Sequence, residues 1–512
     1  MRRRLIASIV GVIAGAVLAG CGGSSVNLGT PGAVAGGKAP GGTLQVAIAS
    51  APDQLDPQKT TSYPSFEVLD NIYDTLVAPN PKTLRMQPSL AQSWTVNHDH
   101  LRWTFHLRHG VKFDDGSTFD AADVVYSYDR IIHGKLPNAY RFATVKAVSA
   151  RGPHTVVITL TKPTPNLLSD IGGFKGMAIL PKGIASRLNL ATHTDGTGPY
   201  MLQSQNPGSI TLVANPHYWG KGPYVGKVVF QFIPNATTAV TALETGEIDW
   251  TDNIPPQDIS NLQRNDTLKV ATVPSTDYWY MTVNEQRKPF GNPLVRRAIS
   301  YAINRRAITE AAMFNAATVN ETAIPKTSPW YFSYDPYTPN LAKARALLRQ
   351  AGVSHLSMGL MVTSEYPQTV EAAQVIAAEL APIGIRVNVQ TEDFSTWLDR
   401  ESKGQYDSFI LGWLGNIDPS DYYYDQQYCK AADNFQHYCN QQVDRLLTAA
   451  GTTSSTARRK QLYDRAARLI VDDNSYIYLY NPDVVQAWSD KVKGFIARPD
   501  RAINFDTVRL SK

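Results

Sequence analysis

Cysteine is scarce in this chain: 512 residues include three, Cys21, Cys429 and Cys439. So few exclude a disulfide-built scaffold or a four-cysteine zinc cluster, and the fold must rest on apolar burial. Long apolar runs are absent beyond residue 20, so no later segment offers the roughly 18 to 20 apolar residues that cross a bilayer as a helix. An excess of one charge is also lacking. The chain carries 49 basic and 44 acidic residues, dispersed without a basic stripe, which points away from nucleic acid as a partner. Catalytic signatures are missing: there is no Gly-x-Ser-x-Gly elbow, no His-Glu-x-x-His helix and no complete phosphate loop ending in Lys-Ser or Lys-Thr. His98, His100, His106 and His109 cluster in sequence, and half-exposed strand and turn positions account for them better than a metal does. Carboxylates are numerous enough that some pair must occur by chance, so composition alone does not rule on a glycosidase. The reading favoured is a non-enzyme with no cofactor and no resident metal.

What is present begins at the first residues. Arg2, Arg3 and Arg4 precede an apolar run over 5–17, which ends in Leu18-Ala19-Gly20-Cys21. A basic start, a short apolar stretch and small residues before a cleavage point are the parts of a secretory signal. The last four residues resemble a bacterial lipobox. By that resemblance residues 1–20 are removed and Cys21 carries a diacylglyceryl anchor, two acyl chains holding firmly where one is marginal. An ordinary signal followed by a chance cysteine is the plainer alternative. Residues 22–42 are dominated by Gly, Ala, Ser and Pro with one charge, Lys38, and as a flexible coil they span about 25 Å. The expectation is an exported protein on the outer face of the cytoplasmic membrane, touching it through lipid alone. Processing would leave 46 basic against 44 acidic residues. Outside the cytoplasm Cys429 and Cys439 favour a disulfide, while His437 beside Cys439 leaves a metal reading open.

The remaining 470 residues or so are too many for one core, so two or three lobes are expected. Their texture is α/β. Short β-branched runs at 155–160, 227–233 and 385–389 alternate with helical patterns at 294–306, 341–351, 369–380 and 457–471. Leu341, Ala344, Leu347 and Leu348 form an apolar stripe closed by Gly352 where a helix C-terminus requires it. Trp103, Phe105 and Leu107 alternate with polar residues as a half-buried strand does. Asp115-Gly116 supplies a turn, and Asp120 stands as N-cap of a helix over 121–131, with Asp123 in its first turn.

The same stretch reads Phe105-His106-Leu107-Arg108-His109-Gly110-Val111-Lys112-Phe113-Asp114-Asp115-Gly116, then Phe119, Ala121, Asp123-Val124 and Ser127. It resembles the signature of the peptide and nickel family of extracellular solute-binding proteins, which includes the dipeptide- and oligopeptide-binding components of ABC importers. Gln54-Leu55-Asp56-Pro57, Tyr73-Asp74-Thr75-Leu76 and Leu90-Ala91-Gln92-Ser93-Trp94 precede it. Gly196-Thr197-Gly198-Pro199-Tyr200, Asn215-Pro216-His217-Tyr218-Trp219, Val295-Arg296-Arg297-Ala298-Ile299 and Gly412-Trp413 follow in family order. The resemblance implies a two-lobed periplasmic-binding-protein-like fold with a hinge and an additional domain on the first lobe. By motif, lobe one is 43–76, 191–272 and 485–512, the extra domain 77–190, and lobe two 273–484. Crossovers near Pro274 and Pro482 form the hinge, and ligand binding shifts such a trap toward its closed state.

Within that family, peptide-binding members receive the peptide ammonium on an acidic residue a few positions after Gly-Trp. Here Asn416 falls at that spacing and carries no charge; Asp418 is either its substitute or a turn residue ahead of Pro419. Dipeptide-specific members clamp the free carboxylate with an Arg before the helix that begins near Thr369. This loop holds Glu365 and Tyr366 and no Arg, which implies a longer peptide, a cationic ligand or a non-peptide. Trp413, Trp397, Tyr278, Tyr280, Ser62 and Tyr63 are further ligand candidates, with core packing the competing role for the aromatic ones. The resemblance implies a monomer that captures peptides, oligopeptides rather than simple dipeptides, and hands them to a permease with separate ATPase subunits. A nickel chelate, haem or an oligosaccharide, or a sensor or chaperone role without transport, are the alternatives.

Overall fold

The computed structural model describes residues 41–511 apart from Phe174 and Asn416, so Cys21, the signal and nearly all of the expected linker lie outside the described residues. Most strands join one mixed sheet. Its hydrogen-bonded order is Ile385–Glu392, Leu356–Thr363, Ser408–Trp413, Tyr278–Val283, Tyr476–Ser489, Trp250–Thr251, Thr43–Ile48, Lys227–Phe232, Ser209–Ala214 and Tyr200–Asn206. The 14-residue strand Tyr476–Ser489 runs through its centre. Its first half pairs with Tyr278–Val283 and its second with Leu268–Pro274, both antiparallel. The sheet parts between the two halves because Pro274 and Pro482 bring no N–H to the ladder there. In its place the Ser275 N–H and hydroxyl both donate to the Pro482 carbonyl, at 3.2 and 2.6 Å.

Separate cores lie on the two sides of this crossing. One gathers Leu44, Val46, Tyr73, Tyr200, Phe230, Trp250 and Phe505. On the other side the strand Tyr278–Val283 is buried on both faces, as a central strand covered by helices must be. Its period-2 alternation sends Trp279, Met281 and Val283 into one core and Tyr278 and Tyr280 into an aromatic one with Trp397, Tyr422 and Tyr476. A further core, including Trp103, Phe105, Leu107, Val124 and Tyr128, packs a four-stranded antiparallel sheet against the helix Ala121–Gly134.

Local signals act as their chemistry requires. Asp120 accepts from the Ala122 N–H at 2.7 Å while Asp123 accepts from the Asp120 N–H at 2.8 Å, a reciprocal cap. Gly352 takes a φ of 72° after the helix Leu341–Gln350. The helix expected over 294–306 is instead two, Pro293–Ala302 and Arg305–Met313. Ile303 is extended, and the Asn304 side chain accepts from the Arg306 N–H at 3.1 Å, capping a new helix where periodicity alone suggested continuation.

Candidate ligand-binding site

Polar groups converge where the chain crosses between the cores. Asp277, fully buried, directly precedes the strand Tyr278–Val283. One of its carboxylate oxygens accepts from the Gly415 N–H at 2.8 Å, and the other pairs with the Arg501 Nε. Arg501 belongs to a C-terminal loop whose following residues, Ile503 and Phe505, sit in the core around Trp250. That loop also touches the crossing, since the Thr276 N–H donates to the Pro499 carbonyl at 3.0 Å. Beside it Tyr63 donates to Asp252 Oδ2 at 3.0 Å. Burial, and then the neighbouring Asp252 charge, push the Glu67 carboxyl well above its usual range. Burial raises the Asp252 carboxyl as well, against the lowering by its hydrogen bond from Tyr63, so the two acids sit together in a site that disfavours charge on both.

The residues singled out in the sequence divide between this region and the cores. Ser62 and Tyr63 are half-buried at the start of the helix Tyr63–Leu69, with the Tyr63 hydroxyl in the polar cluster. Tyr366 is half-buried, packs edge-on against Trp279 and feels the Arg501 charge, which pulls its phenol down against the larger upward effect of burial. Glu365 is exposed. The Thr363 hydroxyl, the Ser364 hydroxyl and the Phe394 N–H all donate to one of its oxygens, and the Thr363 bond is the main cause that holds its carboxyl below the usual range. Trp413 is half-buried, opposite Tyr278 in the sheet. Tyr278, Tyr280 and Trp397 are core residues: Tyr278 stacks on Tyr422, Tyr280 on Tyr476, and Trp397 is fully buried.

Asp418 is engaged twice over. Its carboxylate accepts from both terminal nitrogens of Arg459, at 2.8 and 3.2 Å, and caps the helix Pro419–Gln427 through the Ser420 N–H. Asn416 lies outside the described residues. Cys429 and Cys439 are joined as a disulfide, and no group of three metal-ligating side chains occurs among the described residues. Cavities of about 420 and 390 Å³ are lined by none of the candidates named from sequence. Asp277, Arg501, Glu67 and Asp252 escaped the sequence reading. The one local hint was the polar Ser275-Thr276-Asp277 ahead of a strand rich in aromatic and apolar residues.

A second contact lies away from the crossing. Arg141, which follows the helix Ala121–Gly134, points a terminal nitrogen at Asp421 across 3.5 Å and at Asp170 across 3.9 Å. Asp421 in turn accepts from the Ile417 and Asp418 N–H groups, so Arg141 holds the start of the helix that Asp418 caps.

A mixed α/β body with paired strands crossing between separate cores, and ionic contacts gathered at the crossing, defines a two-lobed periplasmic binding protein. The model described as "Bacterial extracellular solute-binding proteins, family 5 Middle" matches residues 85–435, and the chain belongs to that family. It is 30% identical over 483 residues to the glutathione-binding protein GsiB of Salmonella paratyphi A, a match covering 91% of this chain and 94% of the relative. To the dipeptide-binding protein of Escherichia coli it is 28% identical over 508 residues, with the same coverage of each chain. The structure of DppA from Helicobacter pylori in complex with the peptide STSA superposes with a TM-score of 0.84 at 31% identity, over 92% of this chain and 98% of that one.

Proposed function

We propose that this chain is the capture component of an ABC importer for peptides, exported and held at the outer face of the cytoplasmic membrane by lipid on Cys21. It works as a monomer, binds a peptide between its lobes and passes it to a permease driven by separate ATPase subunits. The observation that carries this reading is family membership combined with the likeness to the H. pylori protein, whose structure holds a tetrapeptide. GsiB is a binder of glutathione, a tripeptide, and so also supports ligands longer than two residues. Glu365 in the loop 361–367 supports the same preference, because no cation stands there to clamp a dipeptide carboxylate.

The division that goes with this function is lobe one from 43–76, 191–272 and 485–512, the extra domain from 77–190 and lobe two from 273–484. The Ser275 to Pro482 contacts lie between the crossing strands and serve as its hinge. Closure by rigid movement about two crossing strands brings groups from both lobes onto one ligand. The test is native mass spectrometry of the purified full chain, followed by identification of what denaturation releases. Peptides of three or more residues would support the proposal; a sugar, haem or metal chelate would replace the substrate and keep the fold.

A further inference from the structure

Arg501 is placed as a built-in donor with part of its capacity unspent. A guanidinium offers five N–H groups in a rigid fork, and its two terminal nitrogens match the spacing of a carboxylate. In Arg501 the Nε is taken by Asp277, whose side chain is 0% exposed, whereas the Arg501 side chain is 22% exposed. Among the described residues no group accepts a hydrogen bond from either terminal nitrogen of Arg501.

The neighbouring side chains have partners of their own. Asp277 accepts one hydrogen bond on each oxygen, from the Arg501 Nε and from the Gly415 N–H. Asp252 accepts from Tyr63 at 3.0 Å, and Arg498 is paired with Asp500 at 2.5 Å. The backbone is committed as well: Arg501 sits at a φ of 61°, in the left-handed region that a non-glycine residue seldom adopts. The Arg501 N–H donates to the Arg498 carbonyl, and the Ile503 N–H donates to Asp70, which hold the turn. Tyr63 from the helix Tyr63–Leu69 and Tyr366 from the loop beyond Leu356–Thr363 both feel the guanidinium charge, so it faces elements from both sides of the crossing.

We propose that Arg501, braced through its Nε by buried Asp277, is the anchor for the ligand's terminal carboxylate. This rests on the peptide-capture reading above and adds the end by which the peptide is held. The anchor then comes from the C-terminal loop rather than from the loop 361–367. Because Gly415 is tied to the same Asp277, a ligand on Arg501 is coupled directly to the Gly-Trp loop. Without a charge at Asn416, the carboxylate end carries the ionic part of recognition.

The experiment is calorimetry on the full chain with three versions of one probe peptide, Ser-Thr-Ser-Ala: unmodified, C-terminally amidated and N-terminally acetylated. A charge-assisted pair of this kind sets the expected loss on amidation at about tenfold to a hundredfold, with acetylation costing much less. In Arg501→Gln the free acid and the amide should bind alike, and Arg501→Lys, which keeps the charge but not the fork, should fall between. Circular dichroism checks that each variant is folded, and the amidation arm on the unaltered protein needs no variant at all. Tight binding that ignores amidation, or an amidation penalty that survives in Arg501→Gln, overturns the Arg501 anchor and leaves the peptide reading standing. If neither Ser-Thr-Ser-Ala nor glutathione binds the unaltered chain in any form, the peptide reading fails and the anchor fails with it.

Discussion

Arg141 and Asp421 face each other across 3.5 Å, an ion pair between the segment that follows the helix Ala121–Gly134 and the first turn of the helix Pro419–Gln427. Asp170 approaches the same guanidinium from the Arg141 side at 3.9 Å. Two largely buried carboxylates on opposing elements are therefore kept compatible by one cation, and without it they would repel. Arg141→Ala should weaken peptide binding about fivefold to thirtyfold, a value between those of exposed and buried ion pairs. On the lobe division proposed above, the pair joins the extra domain to lobe two, so the unaltered protein should bind less tightly in high salt, and the variant should show a smaller salt effect. Equal salt dependence in the two would remove Arg141 from closure.

Asp418 and Arg459 make a different kind of pair. Both side chains are buried, the contact is bidentate, and the guanidinium also lies over the Trp330 and Tyr463 rings. Removing one partner of such a pair strands the other charge in the interior, at a cost of about 3–5 kcal/mol. Asp418→Ala should accordingly lower the urea midpoint strongly. Glu365→Gln, at an exposed carboxylate, should leave stability within about 0.5 kcal/mol of the parent. A stable Asp418→Ala protein that has lost only ligand affinity would reverse this assignment.

The strand carrying Trp103, Phe105 and Leu107, the Asp120 cap and the Gly352 stop were legible because each depends on residues a few positions apart. Alternation is equally local, and it sends Tyr278 and Trp279 into different cores. What faces each side was not legible. Asp418 reads equally well as ligand contact or turn residue until Arg459, 41 positions away, is brought against it. Asp277 and Arg501 are 224 residues apart, and nothing in the spacing of either hints at the other. The break at Asn304 shows the converse case, in which a local cap overrode a helical period that continued through it.

Glu401 gives the fold a pH dependence of predictable sign. Burial pushes its carboxyl up to about 8, the Asp433 charge adds to the effect, and no cation pairs with it among the described residues. In the unfolded chain it titrates near 4.5. Between these values the folded state holds the extra proton, so this contribution to stability is complete at acid pH and is lost as pH rises through about 8. Glu285, raised to about 7 by burial despite its 3.2 Å contact with Arg296, adds in the same direction. Urea titrations should find the protein more stable at pH 6 than at pH 9. Glu401→Gln, a neutral stand-in for the protonated acid, should flatten the profile and gain about 2–4 kcal/mol at the alkaline end. An unchanged slope in that variant would show that Glu401 ionises normally.

The Cys429 to Cys439 disulfide closes the connection between the helices Pro419–Gln427 and Gln441–Ala450. Side chains inside the loop already hold its shape: Asn434 donates to the Tyr428 and Tyr438 carbonyls at 2.8 and 2.7 Å, and Gln436 donates to the Gln426 carbonyl at 2.7 Å. The crosslink therefore acts mainly on the unfolded chain, where closing so short a loop is worth about 2–3 kcal/mol. The paired Cys429→Ser and Cys439→Ser substitutions should lower the melting temperature by a few degrees while leaving peptide affinity unchanged, because the hydrogen bonds keep the loop in place. Thiol reductant should shift the unaltered protein toward the variant and leave the variant unaffected. If affinity instead falls along with stability, the loop depends on the crosslink for its native shape, and the bond helps to hold the helix bearing Asp421 in position for closure.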